Sequence, residues 1–286
     1  MINTNKPALI AIDLDDKSLP RLRNSYPNLK TLGDNIVLLY VFNRRHHFET
    51  AEGKEKEISK RSQQLSAIAQ EIMEETGLNV QHILQKGKPS TEILKASENY
   101  NASMIIMSTR TQFDENYSDE DMVGSTTTRV VRQSKVPVFT FNSNVKLKPI
   151  KRILLPLDLT NETKQKVTNA IEIAQRFDAE IQIISAFWSV EDKVIKKELL
   201  RQLDRIKSFI AEDEIPCSAE LIEIDGGKSD LTYAILHYAK QNESDLIMIM
   251  TQQETKMVEF FMGSAAQSIL RLAQIPVMSI IPKNLG

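Results

Sequence analysis

The stretch ALIAIDLDD, residues 8–16, decides the fold, because the chain repeats it as RILLPLDLT at residues 152–160. Each stretch is a short apolar run that ends in an aspartate, Asp13 in the first and Asp158 in the second. In both places a second apolar run begins 23 residues after the aspartate. The chain is therefore a duplication, and copies of about 140 residues are long enough for each to bury its own core.

The two copies also end alike. The segment GSTTTRVVRQSKVPV begins at Gly124, and GSAAQSILRLAQIPV begins 139 residues later at Gly263. We predict two domains, residues 1–143 and 149–286. The linker lies around residues 143–149 and is about seven residues long, which is too short for the domains to move far apart.

Composition limits the classes of protein that this chain can be. Hydrophobic residues make up 41% and charged residues 26%, which is typical of a globular chain. The net charge of −2 gives no general attraction to nucleic acid or to anionic lipid. No apolar run approaches the roughly 20 residues that span a bilayer, and the N-terminus does not resemble a signal peptide. With Cys217 as the single cysteine, we expect a cytoplasmic protein without an internal disulfide.

Ten apolar runs predict the strands. Several runs lack polar alternation, as expected for parallel strands that are covered on both faces. The first copy carries runs at residues 8–13, 36–42, 80–84, 104–108 and 136–141, and the second at 153–158, 181–187, 218–224, 246–251 and 275–281. The alternation of these runs with helical segments predicts an α/β fold with five parallel strands in each domain.

The segments between the runs have helical spacing of their apolar residues. Gly77 is predicted to end the second helix, because glycine accepts the left-handed conformation that ends many helices. The first helix contains Pro20 and Pro27. Pro20 fits a first turn, whereas Pro27 removes a hydrogen bond, so we expect this helix to be short or broken.

The candidate site residues follow strands or precede helices. In an open parallel sheet, ligands bind beyond the carboxyl ends of the strands, where the strand order reverses. Glycine and hydroxyl residues at a helix N-terminus add free N–H donors for an anion. The residues that meet these conditions are Asp13, Ser108, Gly124, Ser125 and Thr126 in the first copy, and Asp158, Gly263 and Ser264 in the second.

The order of these features resembles the universal stress protein family in its tandem two-domain form. The features that carry the resemblance are Asp13 and Asp158, the Gly87-Lys88-Pro89 and Gly227-Lys228 turns, the runs MIIMS and LIMIM, and the endings GS…VPV and GS…IPV. The resemblance implies doubly wound domains with strand order 3-2-1-4-5 and helices on both faces. It also implies self-association through the last strands, residues 136–141 and 277–281, within one chain, with a homodimer as a further option.

Nucleotide-binding members of that family carry a glycine signature after the fourth strand, which reads glycine, two residues, glycine, nine residues, and glycine with serine or threonine. The resemblance implies that the aspartate of the first strand and a residue at the end of the second, here Asp13 and Val41, contact ATP or AMP. The chain departs from the signature in both copies. In the first copy Ser108 and Thr111 replace the first two glycines, and in the second copy Thr251 and Glu254 replace them.

The replacements disfavour a phosphate in the second copy more than in the first. A non-glycine residue held at a left-handed φ costs about 1–2 kcal/mol. A carboxylate such as Glu254 about 4 Å from a phosphate charge costs roughly 4 kcal/mol at an effective dielectric constant of 20. Ser108 and Thr111 are small and can donate hydrogen bonds, so the first copy is the better candidate for a nucleotide.

Each candidate residue also has a purely structural interpretation. Asp13 and Asp158 can cap the next helix or bond loop amides, and the Gly-Ser pairs can serve as helix caps alone. The loop Arg44-Arg45-His46-His47 could contact a phosphate or a metal, but a solvated basic loop fits it better, because it has no ligand spacing.

Three hypotheses on function stay open. The first is a non-enzymatic binding or regulatory protein of the stress response with degenerate nucleotide sites. A protein of this kind requires no cofactor. The second is a sensor that binds ATP or AMP in the N-terminal domain. The third is an enzyme of a related nucleotide-binding α/β class, which a bound flavin would reveal, although no catalytic constellation is visible in the sequence.

Overall fold

The structure is a computed structural model that describes residues 6–14, 18–43, 50–109, 125–141, 148–159, 163–188, 193–224, 228–250 and 264–280. The chain divides into two compact units, Ile2–Leu147 and Lys148–Gly286, which are called the first and second unit below.

Strands and helices alternate through both units. The first unit contains β1 Ala8–Ala11, α1 Ser18–Leu32, β2 Asn35–Phe42, α2 Ala51–Thr76, β3 Asn79–Lys86, α3 Pro89–Asn99, β4 Met104–Ser108, α4 Ser125–Gln133 and β5 Val138–Phe141. The second contains β6 Arg152–Leu157, α5 Thr163–Phe177, β7 Glu180–Trp188, α6 Lys193–Ala211, β8 Cys217–Ile224, α7 Lys228–Gln241, β9 Leu246–Met250, α8 Ser264–Leu272 and β10 Val277–Ile280.

The strands of each unit are parallel and follow one order. In the first unit the order is β3-β2-β1-β4-β5. In the second it is β8-β7-β6-β9-β10. Helices α1 and α2 contact each other, as do α3 and α4, and the second unit repeats this pairing with α5 and α6, and with α7 and α8. The predicted fold, two tandem doubly wound domains with strand order 3-2-1-4-5, is confirmed.

The central strands form the core of each unit. In β1, β4 and β6 most side chains are buried, as with Leu9, Ile105 and Leu154, each 0% exposed. This explains why these runs lack polar alternation, since both faces of a doubly wound sheet are covered by helices.

The prediction that the first helix would be short or broken is wrong. Helix α1 runs through Pro27 and has 15 residues, the same length as its counterpart α5. A proline inside a helix costs about 3 kcal/mol, because it removes one hydrogen bond and its ring crowds the preceding turn. Burial of Leu22, Tyr26 and Leu29 along one face of α1 offsets this cost.

Gly77 ends α2, as predicted, with φ of 70° and its N–H bonded to the carbonyl of Met73 at 2.8 Å. An added Cβ would meet no atom within 4 Å, so a substitution there costs only backbone strain. Gly77→Val is expected to lower the free energy of unfolding by about 1–2 kcal/mol, measured by urea denaturation. Gly77→Asn is the matched control and should cost clearly less, because asparagine tolerates left-handed φ. Equal losses for the two variants would contradict the strain argument.

Candidate functional site

The first unit brings three predicted residues to the carboxyl edge of its sheet. Asp13 follows β1, Val41 lies near the end of β2, and Ser108 is the last residue of β4. The strand register pairs Ala11 with Leu39 and with Met107, so all three residues lie at one level of the sheet. This edge lies between β1 and β4, where the strand order reverses and where doubly wound folds bind ligands.

Helix α4 begins at the same edge. Ser125 and Thr126 form its first residues, and the buried Thr127 donates a hydrogen bond from its Oγ1 to the carbonyl oxygen of Ser108 at 3.3 Å. This bond holds the N-terminus of the helix next to the end of β4. Thr111 and Gly124 lie outside the described residues.

Arg61 of α2 also belongs to this edge, although no motif in the sequence indicates it. Its guanidinium donates to the carbonyl of Leu14 at 2.7 Å and pairs with Glu57 at 2.7 Å. Burial raises the pKa of Tyr40, the positive charge of Arg61 lowers it, and the charge of Asp13 raises it. Arg61 and Asp13 thus both act on the Tyr40 hydroxyl, and Arg61 fixes the loop that carries Asp13.

In the second unit the strand-ending aspartate is paired within the protein. Lys166 of α5 donates from Nζ to Asp158 Oδ1 at 3.0 Å. The Lys166 side chain is 9% exposed and that of Asp158 is 30% exposed, so the ammonium is the more deeply buried partner. Ser264 is the first residue of α8, whereas Gly263, Thr251 and Glu254 lie outside the described residues.

A repeated spacing in the sequence could have revealed Lys166. A hydroxyl residue follows each strand-ending aspartate by five residues, and a basic residue follows it by eight. These positions hold Ser18 and Arg21 in the first copy, and Thr163 and Lys166 in the second. The prolines of the first copy indicate a broken helix there, so the shared spacing of Arg21 and Lys166 after their aspartates is easily missed.

Cys217 opens β8 and carries a half-buried thiol. Burial raises its pKa to about 11, and the nearby charge of Lys207 opposes this only in part. Because the thiolate is the reactive form, we expect Cys217 to react with Ellman's reagent at pH 8 about a hundredfold more slowly than in the urea-unfolded chain. The rate should rise with pH up to the pKa of the thiol. Equal rates in the folded and unfolded chain would contradict this assignment.

The described residues contain neither a membrane-spanning helix nor a cluster of metal ligands. No helix among them is both long and apolar enough to cross a membrane. No group of three or more histidine, cysteine or acidic side chains among them is placed to share a metal ion. The basic loop at residues 44–47 lies outside the described residues.

The duplicated parallel sheet, with an aspartate after the first strand of each unit, defines a tandem protein of the doubly wound α/β class. The model of the universal stress protein family matches residues 4–141 and again residues 149–280, so the chain belongs to that family.

Individual relatives agree with this assignment. A universal stress protein of Methanocaldococcus jannaschii is 26% identical over an alignment of 143 residues, and the match covers 46% of this chain and 81% of that protein. The crystal structure of a universal stress protein from Archaeoglobus fulgidus matches with a TM-score of 0.75 and 23% identity, covering 97% of both chains. A protein of unknown function from Pseudomonas aeruginosa matches with a TM-score of 0.68 and 20% identity, covering 97% of this chain and 92% of its own. At these identities the two structures show the fold.

Proposed function

We propose that the chain is a non-enzymatic universal stress protein with a binding or regulatory role in the stress response. In this proposal the glycine signature of the nucleotide site is degenerate in both domains. Four of its six glycine positions hold other residues, namely Ser108, Thr111, Thr251 and Glu254. Because these residues carry a Cβ, a phosphate cannot lie as close to the backbone there as it can to glycine.

The observation that carries the proposal is the ion pair in the second unit. The resemblance implies that Asp158 would meet a nucleotide, but its carboxylate already accepts a hydrogen bond from the buried Lys166. A ligand that used this oxygen of Asp158 would have to compete with an ammonium held 3.0 Å away. The second unit is therefore the weaker candidate for a nucleotide.

An alternative function is an ATP- or AMP-binding sensor that uses the N-terminal domain. Its support is the arrangement of the first unit, in which Asp13 and Val41 lie at the same edge as the start of α4. Ser125 and Thr126 add hydroxyl donors to the free N–H groups of that helix.

Isothermal titration of the intact chain with ATP and with AMP separates the two functions. No binding up to about 1 mM supports the first function, since that limit corresponds to only about 4 kcal/mol. Micromolar binding that is lost in Asp13→Ala or Gly124→Val, and kept in the exposed control Asp34→Ala, would overturn it in favour of the sensor. Release of phosphate from ATP that depends on Asp13 would contradict a non-enzymatic role.

Self-association through the last strands within one chain stays a prediction from the resemblance, and so does the further option of a homodimer, which can be tested by the mass in solution. Light scattering would return the mass of one chain, 32.5 kDa, for a monomer. A mass of twice that value would indicate the homodimer.

A further inference from the structure

We propose that helix α6 pairs with the α6 of a second copy of this chain, antiparallel and across a two-fold axis. The contact surface is a strip along one side of the helix, called the α6 seam below, which consists of Ile195, Leu199, Gln202, Ile206 and Phe209. The seam belongs to the second unit and is separate from the last strands. The proposal does not depend on the function proposed above.

The α6 seam is largely apolar and open to the solvent. Ile195 is 47% exposed and Phe209 is 37% exposed, which is high for large apolar side chains. The seam residues between them are half-buried. The seam is about 21 Å long, because its ends are 14 residues apart on a helix that rises about 1.5 Å per residue. An exposed apolar strip of this length is typical of a surface that a partner covers.

The spacing of the seam is that of paired helices. Its residues follow one another at steps of four, three, four and three, an average of 3.5 residues per turn. This period keeps a strip between two helices that wind around each other. The contact of α6 with its own unit uses the neighbouring Leu203 and Ile210, which are 2% and 0% exposed. The seam therefore lies beside the face that packs on the sheet.

The first unit shows that the repeat does not need an apolar strip at this place. When the buried Leu203 is aligned with the buried Leu65 of α2, the seam positions correspond to Glu57, Arg61, Gln64, Ile68 and Glu71. The charged side chains are bonded within their own unit. Arg61 donates to the carbonyl of Leu14 at 2.7 Å, and Glu71 accepts from Arg23 of α1 at 2.8 Å. The second unit has Ile195, Leu199 and Phe209 in their places, so its seam has a role beyond the packing of the unit.

The charges beside the seam are complementary to themselves in an antiparallel pair. Glu198 and Arg205 are both exposed and lie on one flank of the seam, two helical turns apart. A two-fold axis between Leu199 and Gln202 places Glu198 of each copy beside Arg205 of the other, so an ion pair forms on each side of the axis. Within one copy Glu198 makes only long contacts, 3.7 Å to Arg201 and 3.4 Å to Gln202. The described residues provide no acid for Arg205.

The same axis brings the seam residues together. Ile195 of each copy meets Ile206 of the other, and the two Gln202 amides lie beside the axis, where they can bond each other and fix the register. A parallel pair would instead place Glu198 beside Leu203, which is buried in its own unit, so the charges would have no partner. The charges therefore favour the antiparallel pair.

The first test is the mass of the intact chain by sedimentation equilibrium between about 1 and 500 µM, a range that covers weak dimers. We expect the mass to rise with concentration from 32.5 kDa towards twice that value. Ile195→Lys places a charge in the seam and should weaken the association at least about tenfold. Val194→Lys is the matched control, since it adds the same charge to the next residue, which is 72% exposed and lies off the seam. It should associate as the wild type does.

An exchange of charges tests the pairing itself. Glu198→Arg or Arg205→Glu alone places like charges together on both sides of the axis, so each should weaken the association at least about tenfold. A mixture of these two variants should form a mixed dimer as readily as the wild type forms its own, because every pair again joins opposite charges. The double variant Glu198→Arg with Arg205→Glu should also dimerise as the wild type does.

The proposal is overturned if the wild type stays monomeric up to about 500 µM. It is equally overturned if a dimer forms that neither Ile195→Lys nor the charge variants weaken, which would assign self-association to another surface such as the last strands. A monomeric chain that binds phosphatidylserine vesicles, and loses this binding in Ile195→Lys, would assign the seam to a lipid surface instead. All the substituted side chains are exposed, so each variant is expected to fold, which circular dichroism checks.

Discussion

Asp158→Ala is expected to lower the free energy of unfolding by about 3 kcal/mol, because it leaves the ammonium of Lys166 buried without its counter-ion. Lys166 is the more deeply buried partner, with 9% of its side chain exposed against 30% for Asp158. The penalty of an unpaired charge grows with burial, so the loss should depend strongly on which partner is removed. Urea denaturation followed by circular dichroism measures it.

Lys166→Met removes the other partner of the ion pair, and its loss of stability is compared with that of Asp158→Ala. It removes the ammonium from beside an Asp158 carboxylate that is partly solvated, so we expect a smaller loss, about 1 kcal/mol. The double variant Asp158→Ala with Lys166→Met removes both charges and should be more stable than Asp158→Ala alone. If the two single variants lose the same stability, the difference in burial does not control the energy of the pair.

Leu154→Ala is expected to lower the free energy of unfolding by about 3 kcal/mol. Leu154 is 0% exposed and lies in β6, where it pairs with Gln182 of β7 on one side and Ile247 of β9 on the other. Truncation removes three buried carbons and leaves a cavity in a sheet that is covered on both faces, where the surroundings cannot readily collapse. The same urea experiment measures this effect.

Val194→Ala, in α6, is the control, because it truncates an apolar side chain that is exposed rather than buried. Val194 is 72% exposed, so its truncation should change the stability by less than about 0.5 kcal/mol. A loss below about 1 kcal/mol for Leu154→Ala would show that β6 is not part of a rigid core.

The strands could be predicted from the sequence because their signal is local. The run 104–108 became β4 without change, whereas the run 136–141 begins as a strand only at Val138. Pro137 explains the difference, since it has no N–H to donate, although its carbonyl accepts a bond from Ile105 at 2.9 Å. The strand order, in contrast, came from the resemblance and not from the runs.

The contacts of the candidate site could not be predicted in the same way, because they depend on distant or directional side chains. Arg61 lies 47 residues from Leu14 in the sequence, and nothing local indicates that they meet. Lys166 is only eight residues from Asp158, but the pair forms because α5 begins where its first turn faces the end of β6. The continuity of α1 was missed because its tertiary packing outweighs the local effect of Pro27.

The two units hold the loop after their first strand with different helices. Arg61 of α2 does so through the Leu14 carbonyl, whereas Lys166 of α5 does so through Asp158. When the buried Leu65 and Leu203 are aligned, an apolar residue, Leu199, stands at the position that corresponds to Arg61. The halves are therefore not interchangeable, and a gene assembled from two copies of one half would lose one of the two anchoring schemes.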